Sequence, residues 1–244
     1  RVITVISPTI SAHLEGLRFV DGNATGLGGG PDDRDAGGGL YVLTATVTIS
    51  DSLIFSNTAS VTGTVPGTVP PLGGGFGGGL YSRGGHIELT DTEIVSNTAS
   101  VNVLGFGGGL YIDHGNAVLS RNWVMSNTAS YWDDGQGGGM YLDGSTITTT
   151  LSTGNPYLYG SYTTTFPSAV LLENTLQGNY ASRTGDGQGG GLYANHCHIE
   201  LIDNLVQYNT GGTGKEGKGG GLYIFFSEAL LEHNLVRYNV ASRG

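Results

Sequence analysis

Residues 107–127 read GGGLYIDHGNAVLSRNWVMSN, and thirty residues on the chain starts again with Gly137, Gly138, Gly139, Met140 and Tyr141. A Gly triplet followed by Leu or Met and then Tyr occurs six times, with its Tyr at Tyr41, Tyr81, Tyr111, Tyr141, Tyr193 and Tyr223. A second mark, an Asn with an aliphatic residue three before it, falls at Asn23, Asn57, Asn97, Asn127, Asn179, Asn209 and Asn239. Tyr to the next Asn is 16 residues in five units and 38 in the fourth; Asn to the next triplet is 10 residues in four cases, 14 after Asn23 and 20 after Asn57. A 30-residue unit with additions of 4, 10 and 22 therefore accounts for everything from Leu17 onward. Additions confined to two points of the unit are loops on a fixed scaffold.

The residues flanking each Tyr are mostly apolar, as in Leu40 and Val42 or Leu110 and Ile112. Six and eight residues past Tyr come Val47 and Ile49, Ile87 and Leu89, Ala117 and Leu119, Ile199 and Leu201. This is period two in short runs, so the unit holds three short strands; no 3.6-residue period runs long enough for a helix. Such a unit cannot bury one face alone and must stack on copies of itself. The expected fold is all-β, a right-handed parallel β-helix (β-solenoid) of about seven coils with two enlarged loops, each strand pairing with its equivalent one coil away. Residues 1–244 are then one domain, with an irregular first coil over 1–16 and loop insertions over 61–76 and 145–166, in a longer chain or a stacked assembly.

Stacking turns repeated residues into columns. Asn57, Asn97, Asn127, Asn179, Asn209 and Asn239 form an inward ladder at a bend, their amides bonding along the axis. Two residues later Ala59, Ala99, Ala129, Ala181 and Ala241 form a small column where a bend leaves little room. Cys197 shares another small column with Ala45, Gly85, Gly115 and Ser227, and is expected to be a buried, inert thiol.

Composition narrows the function. With 45 Gly and only 7 Pro there is no collagen-like period, and a net charge of −10 makes nucleic acid a poor partner. No run of 18 apolar residues occurs and no basic-then-apolar leader stands at Arg1, so neither a transmembrane segment nor an unprocessed precursor is expected.

The Gly-Gly mark paired with an aliphatic-x-x-Asn mark, as in Ile54-Phe55-Ser56-Asn57, resembles the GGA(I/L/V) and FxxN repeats of bacterial polymorphic outer-membrane proteins. More broadly it resembles the right-handed β-helices of autotransporter passengers, surface adhesins and polysaccharide lyases. The resemblance covers residues 17–244; here Ile, Val or Leu replaces Phe, and Gly-Gly-Gly followed by Leu-Tyr replaces Gly-Gly-Ala. It implies a secreted or cell-surface protein, with adhesion the commonest non-enzymatic role.

Several columns are candidates for chemistry. By parity the six Tyr point away from the core beside bare Gly backbone, a ladder of rings suited to a sugar face or another protein, or else roofed by loops and purely structural. The 22-residue insertion adds Tyr157, Tyr159 and Tyr162, placed for recognition or for covering the coil wall. Asp134, Asp186 and Glu216 stand seven residues before the last three Tyr, so three carboxylates share one column, which a bound Ca²⁺ or Arg183, Lys215 and Lys218 would offset. The Asp32–Asp35 loop is a lesser cation candidate. His196, His198 and Glu200, expected on one side of a strand with Glu228 one coil on, form a metal-like set whose ligands converge poorly.

The function expected is a non-enzymatic extracellular adhesin or structural subunit of a cell-surface fibre, partnered by itself head to tail or by a surface glycan or protein. Ala241 to Gly244 stop where another Gly triplet is due, with no polar cap, which favours continuation or stacking. The alternative is a carbohydrate-binding protein or polysaccharide-lyase-like enzyme in which Asp134, Asp186 and Glu216 hold Ca²⁺ and Arg183, Lys215 or Lys218 acts as base. An ice-binding array of Thr44, Thr46 and Thr48 ranks last, because the same columns continue as Gly84, His86 and Glu88.

Overall fold

The computed structural model describes residues 1–62, 73–144, 148–150, 163–165, 168–214 and 216–242. Residues one unit apart lie directly over one another. Tyr111 pairs in register with Tyr81 on one side and Tyr141 on the other, and Asn97 Nδ2 donates to Asn127 Oδ1 at 3.0 Å. The chain is a right-handed parallel β-helix of about seven coils.

One coil runs through Leu110–Asp113, Asn116–Ser120, Trp123–Met125, Thr128–Ser130 and Gly135–Gln136, which belong to five stacks called here sheets A to E. Among the described residues sheets A, B and C have seven strands each, D six and E five. The three strands expected per coil are A, B and C. Sheets D and E add two shorter rungs that carry the chain from the Asn bend back to the next Gly triplet. Residues 1–16, expected to be irregular, instead carry regular rungs: Ile3–Ile6 pairs with Leu40–Leu43 and Ser11–Glu15 with Thr46–Ser50. Thr4 stands at the position that Tyr41 holds in the next coil, so the repeated marks do not flag this one.

The alternation of period two places Leu110, Ile112, Ala117, Leu119 and Val124 inside, and their equivalents from each coil form one continuous core along the axis. Corners are made by single residues with left-handed backbone. In this coil they are Gly107 (φ +64°), His114 (φ +53°), Arg121 (φ +53°) and Ser126 (φ +56°). Gly107 is glycine for a second reason as well, since a Cβ there would sit 2.2 Å from the carbonyl oxygen of Leu110. The insertion over 145–166 contains a two-stranded antiparallel ribbon, Thr148–Thr150 against Thr163–Thr165.

Half of the buried polar side chains among the described residues stand in two columns, and both are closed by hydrogen bonds. In the first, Asn127 Oδ1 accepts from the backbone N–H of Asn97 at 2.9 Å and from its Nδ2 at 3.0 Å, while Asn127 Nδ2 donates to Ile94 O and to Asn179 Oδ1. The pattern continues from Asn57 to Asn239. The second ladder, Asn122, Asn174, Asn204 and Asn234, is bonded in the same way one corner earlier. Its first rungs are Ser52 and Thr92, which break the run of Asn and hide it from a search for repeated residues. Each amide satisfies its own donors and acceptors as well as a buried backbone group, so neither column leaves an orphan in a dry core.

Candidate functional site

Two of the expected sites fall on one face of the coil, where sheet E lies over the Tyr side of sheet A. The Tyr rings do leave the central core, but they enter a second, smaller core and not solvent. Tyr41, Tyr81, Tyr111, Tyr141 and Tyr193 are all buried, packed with Ala36 and Phe76. The rings of Tyr111 and Tyr141 stack at 4.7 Å, as do those of Tyr141 and Tyr193. From sheet E, Phe76 stands edge-on to Tyr111 at 5.3 Å and Phe106 edge-on to Tyr141 at 5.9 Å. The segment between the Asn bend and the Gly triplet is therefore the roof, and the roofed, structural alternative describes these five rings. Tyr223, in the last coil, is half-buried.

The hydroxyls are used too. Tyr81 donates to Asp113 Oδ2 at 2.9 Å and Tyr111 to Asp143 Oδ2 at 3.0 Å, each reaching a carboxylate of the next coil. Asp113 also faces Arg83 at 3.4 Å and His114. Burial first, and then the carboxylate beside them, raise the Tyr81, Tyr111 and Tyr141 hydroxyls well above the usual phenol range. Burial pushes Tyr193 up to about 12. A phenol whose folded pKa exceeds its unfolded value of about 10 contributes stability that is present below that pH and lost as pH rises through the folded value. The rod is therefore expected to hold its stability up to about pH 10 and lose it above, with these hydroxyls ionising only as the sheets melt. Absorbance and circular dichroism followed together through an alkaline titration check this. If all 13 Tyr ionise in one wave while the β signal stands, the stack is open to water.

The acidic column also forms. Asp134, Asp186 and Glu216 come from successive coils, but their oxygens are turned along the axis. Asp134 Oδ1 accepts from the N–H of Asp186 at 2.8 Å, and Asp186 Oδ1 from the N–H of Glu216 at 2.9 Å. Each amide offsets the carboxylate one coil before it, so the column is held together by the backbone. Among the described residues no three His, Cys, Asp or Glu side chains converge as a metal group. Beside the column, Leu104, Phe106, Asp134, Gln136, Asp186 and Gln188 line a shallow depression. Arg183, expected as its charge partner, lies instead over the rings of Tyr131 (4.7 Å) and Tyr180 (4.5 Å). Asp134 and Asp186 stand just before their sheet E strands, while Arg183 leaves the end of the sheet D strand Tyr180–Ser182.

The chain matches no known protein-family model, no curated protein and no solved structure. Its function has to be argued from its own side chains.

The remaining candidates are dispersed. Tyr157, Tyr159, Tyr162 and Lys215 lie outside the described residues. His196 does not share the strand face of His198: it is a left-handed corner (φ +51°) whose ring stacks on Phe226 at 5.3 Å. His198 faces Glu228 at 3.4 Å and Glu200 at 3.6 Å, a surface charge cluster. In the Asp32–Asp35 loop, Asp35 is buried and accepts from the N–H of Gly26 and the Ser60 hydroxyl, both at 2.8 Å. Cys197 is buried, its thiol pushed up to about 12, first by burial. Asp113 and Asp143, the carboxylates that fix the Tyr ladder, escape sequence reasoning because their column reads Leu43, Arg83, Asp113, Asp143, Asn195 and Phe225 and has no repeated character.

Proposed function

We propose that this chain is a non-enzymatic extracellular β-helix, acting as a surface adhesin or as a structural subunit of a cell-surface fibre. The observation that carries this is the use made of its polar columns. The hydroxyls of Tyr81 and Tyr111 bond to carboxylates of the next coil, and Asp134 and Asp186 bond to amides of the next coil. Two ladders of Asn bond the length of the stack. These polar columns stiffen the axis, which suits a load-bearing or display rod. The resemblance to polymorphic outer-membrane and autotransporter repeats supports the same role and a secreted, cell-surface location. No helix among the described residues is long and apolar enough to cross a membrane.

Head-to-tail stacking belongs to this proposal. In the last coil Leu231 is 45% and Val236 47% exposed, although their equivalents Leu201 and Val206 are fully buried. A second copy stacked on this face in the same register would cover them. Sedimentation and electron microscopy over a concentration series test this: rods growing in length are expected, and a monodisperse monomer at high concentration overturns self-assembly. The depression between Asp134 and Asp186 favours a second reading, a carbohydrate-active site assisted by Ca²⁺. Acidic glycans incubated with the protein and calcium are expected to gain no unsaturated sugar ends; their appearance would replace the structural role with a lyase.

A further inference from the structure

Along the corner between sheets B and C two depressions meet at Asp91 and Glu93 to make a groove whose floor is the first two rungs of the second ladder but whose walls belong to none of the ladders. Its outer wall is the corner column, where Gly16, Asp51, Asp91 and Arg121 succeed one another with left-handed backbone. Its inner wall is the first outward position of sheet C, where Arg18, Leu53, Glu93 and Trp123 pair in register. Ser52 and Thr92, both buried, form the floor. The four coils span three strand spacings, a length of about 14 Å. Trp123 closes one end with 55% of its surface exposed, and Glu93 is its cross-strand neighbour. Arg121 is fixed in the wall by two bonds to Asp91, from Nε at 2.8 Å and from Nη2 at 2.7 Å, a pairing that lowers the Asp91 pKa and raises that of Arg121.

We infer that this groove binds an extended, uncharged oligosaccharide, stacked on Trp123 and hydrogen-bonded by Glu93, Asp51 and Arg121. An indole beside a carboxylate offers an apolar platform for the C–H face of a pyranose and an acceptor for the hydroxyls at its rim. Arg121 spends two of its five donors on Asp91, which leaves it aimed as a donor to sugar oxygens. The lining holds three carboxylates, Asp51, Asp91 and Glu93, against two guanidinium groups, Arg18 and Arg121, so a uronate or sulfated chain meets a net repulsive wall. A peptide is disfavoured on a different ground. An added strand needs an unpaired edge, and the groove strands Leu53–Phe55 and Glu93–Val95 are each paired on both sides. Ligand recognition here rests on side chains alone, as it does for sugars.

The test is calorimetric titration of the whole chain with cellohexaose, maltohexaose and chitohexaose, and with polygalacturonate as the anionic probe. At least one hexaose is expected to bind, with Trp123→Ala weakening it about tenfold and Glu93→Gln about fivefold. Trp132→Ala, at an exposed position just after Thr128–Ser130 and outside the groove, leaves binding unchanged, and thermal melting of each variant shows that the exposed substitutions keep the fold. Binding of none of the three hexaoses overturns the inference, as does tight binding of polygalacturonate or binding that survives Trp123→Ala. A rod that stacks yet binds none of these sugars loses the groove and keeps its structural role, so the two proposals fail separately.

Discussion

Gly105→Ala is expected to prevent the rod from forming or to lower its stability by more than about 4 kcal/mol, a loss reached by only a few mechanisms. The mechanism here is backbone collision. A Cβ on Gly105 would stand 1.7 Å from the carbonyl oxygen of Ala129 and 2.3 Å from its carbonyl carbon. Neither atom can rotate away, because the strand that holds Ala129 is fixed by Thr128 N–H to Asn97 O at 2.9 Å and by Tyr131 N–H to Ser100 O at 3.2 Å. The same collision recurs between Gly75 and Ala99 at 1.7 Å and between Gly135 and Ala181 at 1.8 Å. Sheet E thus packs backbone to backbone on the sheet D strand of the next coil, which is why Gly75, Gly105, Gly135 and Gly187 recur in sheet E. Gly16→Ala is the control. Its φ of +65° makes any side chain strained, but nothing lies within 4 Å, so the cost is only about 1–2 kcal/mol. Urea unfolding followed by circular dichroism separates the two. If Gly105→Ala costs no more than Gly16→Ala, sheets D and E are not in contact.

What could be read from the sequence was whatever repeats at constant spacing. Tyr111 over Tyr141 and Asn97 over Asn127 follow from counting, and so does the core, because Leu119, Leu171 and Leu201 recur with the marks. Sheets D and E were not legible. Thr128–Ser130 and Gly135–Gln136 are too short for period two to register. Parity placed the Tyr rings outside the central core, but Phe76 and Phe106 roof them only because a chain segment of variable length turns back over them, which no column announces. The interactions that fix Tyr81 and Tyr111 run diagonally, from one column to a different column of the next coil, and a search down single columns cannot find them. The groove beside Trp123 is hidden for a related reason: its walls change character at every coil, as binding surfaces do when they are not part of the scaffold.

Asn127→Asp is expected to cost about 3–5 kcal/mol at neutral pH, the range for leaving a charge buried without a partner, and to do so in a pH-dependent way. The site is fully buried. The carboxylate keeps two acceptor contacts, from the N–H and Nδ2 of Asn97, but where Asn127 Nδ2 donated to Ile94 O and Asn179 Oδ1 it sets oxygen against oxygen. Desolvation and those two acceptors both disfavour the ionised form, so the folded-state pKa of the new carboxyl rises above its unfolded value of about 3.9. A group shifted that way binds its proton more tightly when folded, so the variant is best matched to the parent below about pH 4 and falls behind as pH climbs through the folded pKa. Asn127→Ala supplies the pH-independent comparison. It removes the same donors and leaves Ile94 O and the Asn97 amide without partners, at about 1–3 kcal/mol for each buried group. Unfolding free energies of both variants and the parent, measured in acid and at neutral pH, decide the matter. A deficit for Asn127→Asp that is equal at both pH values would mean the carboxylate is ionised and hydrated in the folded rod, and that the Asn ladder is wet, not sealed.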